Sequence, residues 1–374
     1  MNILHYTGMP YSTKYGGFER WLVEFGKIAN SMGHKTFISY TEKIASISTL
    51  NKDFEKNNIT TIVTSNRNYE ILLEQIKHYK IDIFITHFTE PYLEAEFIAK
   101  KTKCKVYSFF HCYNYYSTLT WKLNFKEKLA ATYYRWLVFK SQFYIDKYFA
   151  VSKAVKKQFS NFCFLSSHKI DNIYLGTDKK TSLIDRKNTI PVLTCIACHG
   201  EDKGVDILIE AVKILKDRGL RFELWQVGGG MIFNNGKDTA LLQSLVKENG
   251  IDDCFKWFGI RNDIDNILSH TDIYIQPSRR EAISLTVAEA MMHSLPIVAS
   301  NVDGIPEYID HEITGLLYNN NNPTELANCI QYLIENSNTR RLLGENAYNK
   351  INSSTFDMTT NIQFFIDKYI NKYV

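Results

Sequence analysis

Two acids eight positions apart, Glu281 and Glu289, stand in the stretch TDIYIQPSRREAISLTVAEAMMHSLPIVASNVDGIPEYI, Thr271 to Ile309. The apolar run DIYIQPS predicts a strand and SLTVAEAMMHS a helix, so Glu281 falls in the loop after the strand and Glu289 inside the helix. A carboxylate accepts hydrogen bonds from vicinal hydroxyls. The free N–H groups of Ser284, Leu285 and Thr286 at the helix start suit an anion. Together these groups describe a site for a sugar joined to a phosphate. On spacing alone, a solvated loop acid and a helix-surface acid is the plainer reading.

Other residues compete for attention. TCIACHGEDKG, Thr194 to Gly204, holds Cys195-x-x-Cys198-His199 and then Lys203-Gly204. The first pattern can mark haem attachment, half a zinc site or a dithiol. Zinc needs about four ligands, no second pair follows, and Cys195 lies inside the apolar strand VLTCIA, which marks it for the core. Lys203 could neutralise an anion or be an ordinary surface lysine. Gly16-Gly17 precede a helical pattern that begins at Phe18, where close backbone approach and a positive helix end coincide. His111 and His87 each end an apolar strand, KVYSFFH and IDIFITH; one histidine at such a place is more often core than ligand, and His87 is the second choice after His111 for a cleft histidine. Asp263-Ile264-Asp265 opens a helix and reads as capping. Gly228-Gly229-Gly230 follows a strand without the rest of a dinucleotide fingerprint.

The elements that must position these residues alternate along the chain. NILHY, TFISY, ITTIV, IDIFITH, KVYSFFH and KYFAVS are predicted strands, separated by helical patterns; VLTCIA, FELWQVG, FKWFG, DIYIQPS and LPIVAS repeat the scheme. That alternation predicts α/β domains with parallel sheets. A polar, unpatterned segment joins the halves. The expected division is residues 1–176, a linker at 177–190, residues 191–354, and a helix at 355–374 packing back on the first domain, with a ligand cleft between the two sheets.

The motif PS-x-x-E-x7-E-A-M, followed by PIVAS, GIPE and TGLL, resembles the donor-binding signature of glycosyltransferase family 4, the glycosyl transferases group 1. KYGGFERWLVEF, VYSFFHC, YFAVSKAVKKQF, NIYLGTD and EDKGVDILIEAVKIL are similar to further segments of that family, so the resemblance runs over nearly the whole chain. It implies a GT-B fold of two Rossmann-like domains, and a retaining transfer from a nucleotide diphosphate sugar, UDP ahead of GDP. The implied acceptor is a glycan or lipid-linked hydroxyl in bacterial cell-surface polysaccharide or glycolipid synthesis. No cofactor or metal is implied. By position, Glu281 would hold donor-sugar hydroxyls, Glu289 the ribose, Lys203 the diphosphate, Gly16 and Gly17 its backbone contacts, and His111 the donor sugar. Where the family usually has Gly-Arg before the Lys-Gly turn, this chain has Ala197-Cys198; Arg261, Arg279 and Arg280 are the candidates to supply the cation.

Bulk properties set outer bounds. With 374 residues, 45% hydrophobic and 22% charged, the chain is an ordinary globular sequence with room for two cores. A net charge of +4 is too small to argue for nucleic acid. The start lacks a signal-peptide pattern and no apolar run is long enough to span a bilayer, so the expectation is a cytoplasmic protein with reduced thiols. From 121 to 157, lysines (Lys122, Lys126, Lys128, Lys140) interleave with aromatics (Trp121, Phe125, Tyr133, Trp136, Phe139, Phe143). That mixture suits the inner face of an anionic membrane, or equally a core face backed by solvated lysines. Two rivals to an active transferase remain: an inactive partner subunit, and a nicotinamide oxidoreductase, whose G-x-G-x-x-G is missing from GMPYSTKYGG.

Overall fold

The computed structural model describes residues 1–7, 16–40, 49–64, 68–113, 124–178, 188–229 and 237–373. The chain forms two compact units, Met1–Gly176 with Met358–Val374, and Thr177–Asp357. Each is built on one parallel sheet. The first holds β1 (Asn2–Tyr6), β2 (Lys35–Tyr40), β3 (Thr60–Val63), β4 (Ile83–His87), β5 (Lys105–Phe110), β6 (Lys147–Ala150) and β7 (Ile170–Asn172), in the order β3-β2-β1-β4-β5-β6-β7. The second holds β8 (Val192–Ile196), β9 (Glu223–Val227), β10 (Phe255–Gly259), β11 (Ile273–Gln276), β12 (Ile297–Ser300) and β13 (Gly315–Tyr318), in the order β10-β9-β8-β11-β12-β13.

Helices cover these sheets, which is why the strands read as apolar runs rather than as alternating patterns. The order reverses between β1 and β4 in one unit and between β8 and β11 in the other. Open α/β sheets bind ligands outside the carboxyl ends of the strands at such a reversal. His5 and His87 lie at the first reversal; Lys203, after β8, and Glu281, after β11, lie at the second.

The Gly17–Ser31 helix buries Phe18, Trp21, Leu22, Phe25, Ile28 and Ala29, the face its spacing predicts. The last helix, Met358–Tyr369, belongs to the first unit. Its Phe365 is fully buried, with ring centroids 6.0 Å from Phe25, 5.6 Å from Phe109 and 4.9 Å from Phe149. Tyr107 Oη donates to the Tyr369 carbonyl at 2.7 Å. Strands β7 and β13 are absent from the sequence reading; β7, at three residues, is too short for a pattern to show.

Phe365 thus closes the aromatic core of the first unit. Phe365→Ala is expected to cost about 3–5 kcal/mol, read as a lower urea midpoint for that unit; an unchanged midpoint would show that the helix contributes no core.

Candidate active site

Two turns at the ends of β8 and β11 build the site in the second unit. The first is a short 3-10 turn, Glu201–Lys203, ended by Gly204 at φ +64°. A Cβ on Gly204 would lie 2.1 Å from the Pro277 carbonyl oxygen, so only glycine lets this turn sit against the β11 loop. The Asp202 carbonyl accepts the Arg279 and Arg280 amides at 2.7 and 3.2 Å, knitting the turns together. From the far side, the Gly304 amide donates to the Glu281 carbonyl at 3.0 Å, where a Cβ would meet the Ala282 oxygen at 2.1 Å.

This clasp brings Lys203 and Glu281 into contact. Lys203 Nζ donates to Glu281 Oε2 at 3.0 Å and lies 3.7 Å from Asp202 Oδ2. The two side chains are 22% and 11% exposed, so the pair is largely withdrawn from water. Burial works against the lysine charge, but the Glu281 and Asp202 carboxylates outweigh it and hold Lys203 above its ordinary range. Burial also pushes Glu281 up from the usual carboxylate value, with Lys203 pulling against it.

Gln276, at the end of β11 and 1% exposed, organises the rest. Its Nε2 donates to Ser278 Oγ at 2.7 Å and to Glu281 Oε2 at 3.4 Å. Its Oε1 accepts from Tyr274 Oη at 3.0 Å and from the Ser284 and Thr286 hydroxyls at 3.4 Å each. Ser278 Oγ also donates to Glu281 Oε2, at 3.3 Å. Every bond to the Glu281 carboxylate therefore converges on Oε2; Oε1 has no partner among the described residues. The sequence reading passed over Gln276, although one amide closing the apolar strand IYIQ is the signal that would have found it.

The Leu285–Met292 helix begins at this hub. Ser284 is its N-cap and accepts from the Val287 amide at 3.3 Å. The Ser284 hydroxyl is thus committed to the cap and to Gln276. The backbone amides of Ser284, Leu285 and Thr286 have no partner among the described residues. Glu289 follows Leu285 by one helical turn, on the same face, and is 9% exposed.

Three arginines considered as the second cation are already engaged. Arg261 makes a two-pronged contact with Asp263, Nε to Oδ1 at 2.8 Å and an Nη to Oδ2 at 2.7 Å, on an exposed surface. That contact also corrects the reading of Asp263 as a capping side chain. It sits at the N-cap position of the Ile264–Ser269 helix, but its carboxylate serves Arg261 and Asn266 instead. Arg279 grips Asp206 and Asn321, and Arg280 bonds Asp303 at 2.8 Å. Lys203 is the cation that touches Glu281. The cysteine motif resolves as well: Cys195 is fully buried, burial pushes its thiol up to about 12, and His199 bonds Thr239 at 2.7 Å.

In the first unit, Gly16 and Gly17 start a helix, but the Gly16 amide is taken by the Glu19 carboxylate at 3.0 Å. An acid already occupies the position proposed for an anion contact there. His111 directly follows β5, is 9% exposed, and meets His87 through Nε2 at 2.8 Å. Gly230, residues 179–187 of the linker, Trp121 and Lys122 lie outside the described residues.

Gly204 supplies a graded test. Gly204→Ala adds a clash to the backbone strain, whereas Gly219, at φ +77° with nothing within 4 Å of a new Cβ, would feel strain alone. Strain of that kind costs about 1–2 kcal/mol. Gly204→Ala is expected to lower Tm further than Gly219→Ala in thermal unfolding; equal shifts would mean that the turn does not depend on close approach.

The family profile described as Glycosyl transferases group 1 matches residues 179–350. An uncharacterized glycosyltransferase of Methanocaldococcus jannaschii is 31% identical over 302 residues, 73% of this chain and 71% of that one. The first three curated relatives matched are spanned over 29%, 53% and 44% of their own lengths. Among solved structures, Anabaena HepE in complex with UDP-glucose superposes with a TM-score of 0.79 over 98% of both chains at 19% identity. WaaG, a glycosyltransferase involved in lipopolysaccharide biosynthesis, does so at 0.73 over 98% of this chain and 99% of that one at 16% identity. The chain therefore belongs to the group 1 glycosyltransferases, and its two parallel-sheet units are the Rossmann-like domains of a GT-B fold.

Proposed function

We propose that this chain transfers a sugar from a nucleotide diphosphate sugar, with UDP as the nucleotide, to a hydroxyl of a glycan or lipid-linked acceptor, with retention. The observation that carries the proposal is the Lys203–Glu281 pair joined through Gln276 to the open amides ahead of Glu289. Glu281 Oε1 would accept from a sugar hydroxyl, Glu289 from the ribose. The departing diphosphate gathers negative charge as the C1–O bond breaks. Lys203 and the Leu285 and Thr286 amides would stabilise that charge. The new C1–O bond forms on the same face, and the acceptor proton passes to a departing phosphate oxygen, so no protein base is required. The fold neighbour that holds UDP-glucose supports UDP over GDP, and the one named for lipopolysaccharide biosynthesis supports a cell-surface acceptor. Family membership removes the nicotinamide oxidoreductase as a rival.

A panel of UDP-, GDP- and ADP-sugars scored for nucleotide release tests the reading, and UDP release is expected. Absence of both release and nucleotide binding would favour the inactive subunit. Glu281→Gln and Lys203→Ala should each cut turnover at least about tenfold, ~1.4 kcal/mol of barrier. Wild-type rates in both would remove the site assignment.

Peripheral membrane contact is the second part of the proposal. No described helix is long and apolar enough to cross a membrane. The Phe125–Ser141 helix carries an outward stripe: Phe125, Leu129, Tyr133 and Trp136 are 77%, 56%, 62% and 53% exposed, and Phe143 beyond it 72%. These aromatics are not core, which favours the membrane reading of the segment. The lysines weigh less than their number suggests, because Lys140 pairs with Glu96 and Lys147 with Asp171. The stripe would enter the headgroup region, flanked by Lys126 and Lys128. Co-sedimentation with phosphatidylglycerol vesicles at low salt is expected, and is expected to fall in Phe125→Ser/Trp136→Ser; a wild-type protein left in the supernatant would refute it.

A further inference from the structure

Three histidines in the first unit form a hydrogen-bonded row. His5 Nδ1 lies 2.9 Å from His87 Nε2, and His87 Nδ1 lies 2.8 Å from His111 Nε2. The sheet register produces this. His5 pairs with Ile85, two residues before His87; His87 pairs with Phe109, two before His111. Side chains two apart share a face, so the three rings run diagonally across one face of neighbouring strands. His5 and His87 are fully buried, and Phe18, Trp21, Phe25, Phe88 and Phe109 pack around the row. Burial holds His5 and His111 at about 3 and His87 well below its ordinary value, so all three rings are neutral. Each nitrogen meets the next ring rather than a common point, and no group of metal-holding side chains occurs among the described residues.

A neutral imidazole has one N–H and one bare nitrogen, so the row has two proton arrangements, each fixed along its whole length. The choice is made at its closed end. His5 Nε2 is buried without a partner among the described residues, and an orphaned buried N–H is rarer than an orphaned acceptor. His5 Nε2 is therefore the bare nitrogen. The proton then sits on Nδ1 of His5, of His87 and of His111 in turn. Among the described residues no group stands in hydrogen-bond reach of the buried end to deliver a proton along the row.

We infer that His5 and His87 are positioning residues that lock the tautomer of His111, making its Nδ1–H a fixed donor and denying the ring a role as base. His111 lines a cavity of about 500 Å³ with Phe88, Tyr92, Tyr134 and Glu90. Aromatic walls with one fixed imidazole donor and one half-buried carboxyl match a hydroxyl-bearing ring. That occupant rests on the transferase reading, whereas the tautomer does not.

The test separates the two. Long-range ¹H–¹⁵N spectra of histidine-labelled protein, assigned with single His→Gln variants, should show His5, His87 and His111 neutral at pH 7, each protonated at Nδ1. His111 protonated at Nε2 in the wild type would overturn the inference whether or not any sugar is transferred. In folded His87→Phe, His111 is expected to lose its single tautomer. With the active donor of the panel, its kcat should fall at least about tenfold while the nucleotide-sugar KM stays within about twofold. His87→Gln keeps an acceptor for His5 and a donor for His111, and is expected to restore both signals. An unchanged His111 tautomer or an unchanged kcat in folded His87→Phe would likewise overturn it.

Discussion

A carboxylate taken out of water demands a cation, and Glu281 obtains one from a turn 78 residues away in sequence. Desolvation of each ion costs several kcal/mol, and a buried pair seldom returns more than it loses. The Lys203–Glu281 contact is therefore poorly explained as a source of stability. It makes sense as two groups held at a fixed place for another purpose. What fixes the place is backbone: Gly204 against Pro277, Gly304 against Ala282, and the Asp202 carbonyl clasped by the amides of Arg279 and Arg280. A lysine ammonium has three donors. Glu281 takes one at 3.0 Å, and Asp202, at 3.7 Å, stands beyond hydrogen-bond range. Capacity remains for a phosphate oxygen without surrender of the carboxylate.

How much of this the sequence carried depends on the range of the interaction. Parallel strands under helices are continuous apolar runs, so all but β7 and β13 were legible. Residue types at the site were legible too: Glu281, Lys203 and the amides of Ser284 to Thr286 were singled out before any geometry. Their connection was not, because Gln276 joins them across loops and no spacing encodes that. The arginines show the same limit from the other side. Arg279 and Arg280 read as free cations until the fold supplied Asp206 and Asp303. Arg261 was readable, since its partner Asp263 is two residues on.

The histidines make the point most sharply. From its own strand end, His87 or His111 reads more readily as core; only the resemblance put His111 at the donor sugar, with His87 as second choice, and His5 drew no notice. Each is ordinary in its own strand. The strand order β1-β4-β5 and a register offset of two at each step turn three ordinary residues into one row. Such a row is a property of pairing, and pairing is what a single sequence leaves open.

The two units bury polar groups at the carboxyl ends of their sheets by opposite means. In the second unit the charge is kept and paired; in the first it is discharged, three imidazoles held neutral by burial and joined to one another. Yet among the described residues both solutions leave one polar atom over: Oε1 of Glu281, an acceptor, and Nδ1 of His111, a donor. A network built for stability alone would close on itself, since each unmatched buried group costs free energy. That each stops one bond short, Glu281 at the switch point of its sheet and His111 one strand beyond the reversal of its own, is the physical reason to regard both ends as ligand sites rather than as core.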